Sequence, residues 1–206
     1  MLRQGRSYTL AVAQQRGWDY TTPGCEDLDD DALGLDEHGE PRSTRIWLYE
    51  PTARTWDHWI WELAPLPANA SWVGLSEITA APDNTFVVLE RDNRSGDWAE
   101  LKSLVKFDPR HARDGVIRAH DKRVRDIIPA LASTRGWISD KPEGVAITQY
   151  GKIYVVTDND GVEDWSGETS FLELGRFSKF FGPKFSWFYG NTELPWFPWR
   201  PRLPER

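Results

Sequence analysis

Residues Tyr154 to Thr169 read YVVTDNDGVEDWSGET. An apolar, β-branched run ends abruptly in the carboxylates Asp158, Asp160, Glu163, Asp164 and Glu168, with Asn159, Gly161 and Gly167 among them. Oxygen donors on a glycine-containing loop suit a hard cation such as calcium, which takes about six to eight oxygens. The same composition suits a solvated connection between strands. The spacing is not that of an EF-hand. Two more acids, Glu77 and Glu143, stand just ahead of apolar runs, with Arg91 and Lys141 as basic residues near the same segments. Carboxylates that converge repel one another unless a cation or a basic side chain comes between them. Equally, each glutamate can make a structural ion pair that registers one repeat unit against the next.

Other chemistries have less behind them. His38, His58, His111 and His120 show no metal-ligand spacing. There is no G-x-S-x-G elbow and no glycine-rich phosphate loop. Cys25 is the single cysteine, so no intrachain disulfide forms, and the acidic residues around it in the sequence are expected to blunt its nucleophilicity.

The elements that would position these acids form a repeat. SEITAAPDNTFVVLERDN (Ser76 to Asn93) resembles PEGVAITQYGKIYVVTDND (Pro142 to Asp160), with a period of about 66 residues between Glu77 and Glu143. Each has a short apolar stretch, a turn, a second apolar stretch and a charged loop. Between them RIWLYEPTARTW (from Arg45) resembles SLVKFDPRHARD (from Ser103): alternation ends at an acid followed by proline, which stops a strand. HWIWELA (His58 to Ala64) alternates as a fourth strand. The unit is therefore a hairpin, a charged loop, a third strand, an acid–Pro turn and a fourth strand. That predicts an all-β chain, a partial β-propeller of about three blade equivalents, too few to close a ring of at least about four. Open blade edges expose unpaired backbone groups and predict self-association or a covering segment.

DKRVRDIIPAL (Asp121 to Leu131) places Val124, Ile127, Ile128 and Leu131 at helical spacing, with Pro129 limiting a helix to a turn or two; the same stretch also reads as the fourth strand of the second blade. Gly24 to Pro41, acidic and short of large apolar residues, reads as a long surface loop. The expected domain covers residues 1–176. A tail over 177–206 is rich in aromatics and proline without a regular period, and Trp187, Trp196 and Trp199 in it are expected to cover an open blade edge. The net charge of −7 argues against a nucleic-acid partner, no apolar run reaches membrane-span length, and the N-terminus as it stands is not a signal peptide. Twelve Trp against one Met suit sheet faces and pocket walls.

WVGLSEI (from Trp72), VVLERDNRSGDWAELK (from Val87), DKPEGVA (from Asp140) and YVVTDNDGVEDWSGET, in that order, resemble the family named for the esterase-like activity of phytase, bacterial phytase-like propellers. AVAQQRGWD, with Gln15, Arg16 and Trp18, is similar to a strand and loop of the same family. The likeness spans roughly residues 7 to 176. It implies a propeller of about six blades, a secreted or periplasmic setting, calcium, and hydrolysis of a small phosphorylated or ester substrate. It carries over Glu77, Glu90, Arg91, Asp92, Lys141, Glu143, Asp158, Asn159, Asp160 and Glu168 as motif positions. On that footing Asp158, Asn159, Asp160 and Glu168 are expected metal ligands, joined by Glu77 and Glu143. Arg91 and Lys141 stabilise charge on the phosphoryl oxygens, and Glu90 takes the water's proton. The chain departs from the family in lacking its N-terminal blades, in Pro142 between Lys141 and Glu143, and after Gly175. The alternative is a non-catalytic propeller module with a structural calcium ion.

Overall fold

The computed structural model describes residues 2–4, 7–13, 42–112, 114–158 and 169–182. These form three antiparallel meanders. The first runs through β1 (Leu2–Gln4), β2 (Ser7–Ala13), β3 (Ser43–Glu50) and β4 (Thr55–Glu62). The second contains β5 (Val73–Ala80), β6 (Phe86–Asp92), β7 (Lys102–Phe107) and, after the short β8 (Val116–Ile117), β9 (Lys122–Asp126). Helix α1 (Ile128–Arg135) leads to the third, β10 (Pro142–Ile147), β11 (Lys152–Thr157) and β12 (Phe171–Arg176), followed by the single turn α2 (Phe177–Phe180). The chain is thus all-β and propeller-like; the described residues form three sheets stacked as successive blades, with no closed barrel among them.

The period-2 alternation of side chains explains the stacking. All seven residues of β6 are buried. Phe86 and Val88 pack with Ile46, Leu48, Trp61 and Ile117 of the first sheet. Val87 and Leu89 pack with Val145, Ile153 and Val155 of the third. The middle sheet is therefore covered on both faces, and its strand β6 opens with an unbroken apolar run, Phe86 to Leu89. In β11 only Ile153, Val155 and Thr157 are buried, so KIYVVT alternates. Its other face carries Tyr154 stacked on Phe171 (5.1 Å) and the Lys152–Glu173 pair (3.0 Å). Between the first two sheets Trp59, Trp61, Phe86 and Phe107 form an aromatic cluster with centroids 5.4 to 5.9 Å apart.

The acid–Pro turns have a common mechanism. The Glu50 carboxylate accepts the Thr52 N–H (2.9 Å), and the Asp108 carboxylate accepts the Arg110 N–H (3.0 Å). Each acid caps the turn that the following proline starts. The two readings of Asp121 to Leu131 both apply, to successive segments. Lys122–Asp126 is the fourth strand of the middle sheet, paired with β7. The helix begins beyond it, and Pro129 opens rather than limits it, because a proline in the first helical turn gives up no intrahelical hydrogen bond. Asp126 accepts the Ile128 N–H (2.8 Å), and Gly136, at φ 75°, ends the helix.

Two features tie the blades together. β8 leaves the middle blade's loop and pairs in parallel with β4 of the first sheet, Ile60 opposite Val116 and Trp61 opposite Ile117. Phe177 and Phe181, from the start of the expected aromatic tail, lie in the core shared by the second and third sheets. The rest of that tail, with Trp187, Trp196 and Trp199, falls outside the described residues.

Candidate functional site

β6 ends in Glu90, Arg91 and Asp92, and the alternation of the strand sends the first two in opposite directions. Glu90 points back to the first sheet. Its buried Oε1 accepts the Trp61 indole N–H (3.2 Å) and the Ala64 N–H (2.9 Å). Lys122 lies over the Trp61 ring, 3.7 Å from its centroid, and donates to the Glu62 carbonyl. Arg91 points forward to the third sheet. Its Nη2 donates to Glu143 Oε1 (3.0 Å), its Nε to Ser76 Oγ (2.8 Å) and its Nη1 to the Asp92 carbonyl (3.3 Å). Its guanidinium lies over Trp72, 5.1 Å from the ring centroid.

The register corrects the expected equivalence of the two glutamates. β5 has a bulge between Leu75 and Glu77, and β10 has one between Pro142 and Gly144. The extra residues are Ser76 and Glu143. These occupy matching places in the two blades, while Glu77 matches Gly144. A bulge turns its extra residue out of the ladder, and both of these turn to Arg91. One guanidinium thus joins neighbouring blades. Glu77 makes a local contact, accepting the Ile78 N–H (2.8 Å).

Asp92 turns into the loop that follows β6. Its Oδ1 accepts from Lys102 Nζ (2.7 Å) and the Arg94 N–H (3.0 Å), and its Oδ2 from the N–H groups of Glu100 and Leu101 (both 2.8 Å). Lys102 Nζ also donates to the carbonyls of Asp92 (2.9 Å) and Asp140 (3.0 Å). Both side chains are fully buried. Burial pushes the Asp92 carboxyl up, but the Lys102 hydrogen bond and charge and the backbone donors outweigh it, leaving the group below its ordinary value. Burial lowers Arg91, opposed by Glu143 and Asp140.

Lys141 and Asp158 join this end of the fold. Lys141 immediately precedes β10, Asp158 immediately follows β11, and the Asp158 N–H donates to the Lys141 carbonyl (2.8 Å). The structure therefore brings Arg91, Glu143, Lys141 and Asp158 to one end of the second and third sheets. It directs Glu90 elsewhere, and Glu77 makes its hydrogen bond within its own strand. Asn159, Asp160 and Glu168 lie outside the described residues. Among the described residues no three His, Cys, Asp or Glu side chains gather as metal ligands.

Sequence reasoning missed Lys102, Trp72, Ser76 and Lys122. Of these, Lys102 was the easiest to infer from the sequence pattern. It shares a strand face with Leu104, so its head group had to find buried acceptors.

Burial pulls the ammonium groups of Lys102 and Lys122 down to about 8, their neighbouring acids opposing this in part. These folded values lie below the 10.5 of an exposed lysine. Between them the folded chain has released protons that the unfolded chain keeps, so unfolding takes protons up. Each group therefore makes stability rise with pH through that window, and its burial cost is fully present below it. The thermal midpoint of Lys122→Met should rise less than that of the parent chain from pH 7.5 to 9.5. Equal slopes would contradict this burial effect at Lys122.

The family model for the esterase-like activity of phytase, described as phytase-like, matches residues 2–161 of the 206. No curated protein and no solved structure matches the chain.

Proposed function

The chain belongs to the phytase-like family defined by the esterase-like activity of phytase, and from that membership we propose that it is a phosphoric ester hydrolase in which calcium assists the attack of water on a phosphate monoester. The family match over residues 2–161 carries this reading. The convergence of Arg91, Glu143, Lys141 and Asp158 at one end of two adjacent blades supports it.

The donor chemistry fits calcium. Asp158 is exposed, Glu143 keeps 42% of its side chain accessible, and the segment from Asp158 to Glu168 offers carboxylate and amide oxygens without a soft ligand. Asp158, Asn159, Asp160 and Glu168 are the residues assigned to it. A bound calcium ion would supply a Lewis acid for the phosphoryl oxygens and acidify a coordinated water.

The chain's own groups divide the remaining work. Glu143 accepts the proton of the attacking water, whose oxygen bonds to phosphorus as the ester P–O bond breaks; the leaving alkoxide takes a proton from solvent. Arg91 is a positioning residue, since only 2% of its side chain is accessible and its Nη2 fixes Glu143. Lys141 balances charge on the phosphoryl oxygens. Glu90 is not assigned the proton, because its carboxylate is buried against Trp61 and Ala64.

The test is phosphate release from myo-inositol hexakisphosphate and from p-nitrophenyl phosphate, with calcium and after chelation. Release that needs calcium is expected. No release from either ester with calcium present would refute the hydrolase reading. One observation favours a second reading: Glu90, Arg91, Asp92 and Lys102 are all spent on holding blades and loops together. A non-catalytic module with a structural ion would gain thermal stability from calcium and release no phosphate.

A further inference from the structure

The loop after β6 is held far more firmly than a surface connection requires. Asp92 accepts the N–H groups of Arg94, Glu100 and Leu101, gathering both ends of the loop onto one carboxylate. Lys102 anchors that carboxylate from beneath. Gly96 lies at φ +55°, where a Cβ would come within 2.9 Å of the Trp137 ring, and its N–H donates to the Ile138 carbonyl (2.8 Å). The loop is thus cinched against the segment that follows α1.

What this rigid loop presents is an open cavity of about 360 Å³ lined by Asn69, Asn93, Arg94, Ser95 and Trp98. Such a volume lies within the range of small-ligand sites. Trp98 is 64% exposed although its backbone sits in an ordered turn. Trp137, 43% exposed, stands next to the loop at Gly96. The amides are oriented in advance. Asn93 Oδ1 accepts the N–H groups of Ser71 (2.8 Å) and Trp72 (3.4 Å), and Asn69 Nδ2 donates to Glu100 Oε1 (2.6 Å). Arg94 donates to the Asn69 carbonyl and to Ser71 Oγ (3.4 Å). The one cationic side chain of the lining, Arg94, is offset by Glu100 bonded to Asn69, so the site holds no surplus positive charge for a polyanion.

We propose that this cavity binds a neutral oligosaccharide, with one sugar ring stacked on Trp98 and vicinal hydroxyls taken by Asn69, Asn93, Arg94 and Ser95. An exposed flat indole offers an apolar face to the C–H face of a pyranose, and fixed amides and a guanidinium pair with adjacent hydroxyls as donors and acceptors. None of these residues is among those assigned to ester hydrolysis, so the site stands or falls independently of that reading.

Isothermal titration calorimetry with cellohexaose and with the hexamer of N-acetylglucosamine tests it, with myo-inositol hexakisphosphate as the charged comparison. Saturable binding of at least one neutral hexamer is expected. Trp98→Ala should weaken it by about tenfold or more with an unchanged thermal midpoint, and Trp98→Phe should restore most of it. Three results would each overturn the proposal: no saturable binding of either hexamer, equal affinity in Trp98→Ala, or binding confined to the phosphorylated compound.

Discussion

Asp92→Ala should lower the unfolding free energy by about 3–5 kcal/mol, the usual cost of leaving a buried charge without its partner. The substitution strands Lys102, whose ammonium keeps only the Asp92 and Asp140 carbonyls, and it also removes the acceptor for three backbone N–H groups. Lys102→Met should cost less, because Asp92 retains those three donors. The double variant should cost less than the two single changes added together, since each removes what the other leaves unpaired. Urea unfolding of the four proteins measures all three statements. A loss below about 1 kcal/mol for Asp92→Ala would place the pair among surface ion pairs and contradict its burial. The sign of the pH dependence follows from the same group. Its folded value lies below the ordinary 3.8 of an aspartate, so its stabilisation is present above that pH and is lost as pH falls through the folded value. Asp92→Ala should therefore flatten the acid limb of the stability curve.

Glu143→Gln should reduce kcat for phosphate release by about 10²–10⁴, the range for loss of a positioned general base. The glutamine carbonyl can still accept from Arg91 Nη2, and the side chain is partly exposed, so the fold should survive with a small change in midpoint. KM should change little, because the proton is taken in the transition state rather than on binding. A purely structural Glu143 would behave differently: turnover would follow the folded fraction, and kcat of the folded protein would match the parent. Unchanged kcat with intact calcium dependence would remove Glu143 from the reaction and leave it as a blade-to-blade contact.

The hairpins were legible in the sequence because a strand buried on both faces and a strand buried on one leave different marks. FVVLERD is continuously apolar until its charged end, whereas KIYVVT alternates. The acid–Pro turns were equally plain, since a carboxylate and a proline at fixed spacing do one local job. The register was not legible. A bulge adds one residue without altering composition, so counting from Glu77 to Glu143 gave a period that the ladder shifts by one. That single residue decides which side chains meet Arg91. The ion pairs were also hidden: Asp92–Lys102 links neighbouring strands of one sheet and Arg91–Glu143 links two sheets, and both depend on which strands become neighbours. The boundary between β9 and α1 was blurred, as Val124, Ile127, Ile128 and Leu131 fit a helical period although the first lies in a strand.

The short β8 gives the stack a shared seam. Residues that belong by chain order to the middle blade complete the edge of the one before it, with the Ile60 N–H donating to the Gly115 carbonyl (2.9 Å). A module that lends a strand to its neighbour is not a cassette. Duplication, deletion or exchange of the middle blade at its chain boundaries would leave the first sheet with a raw margin. Any history of this architecture by shuffling of units must therefore have moved the borrowed strand together with its lender, or acquired the loan after the copies were already side by side.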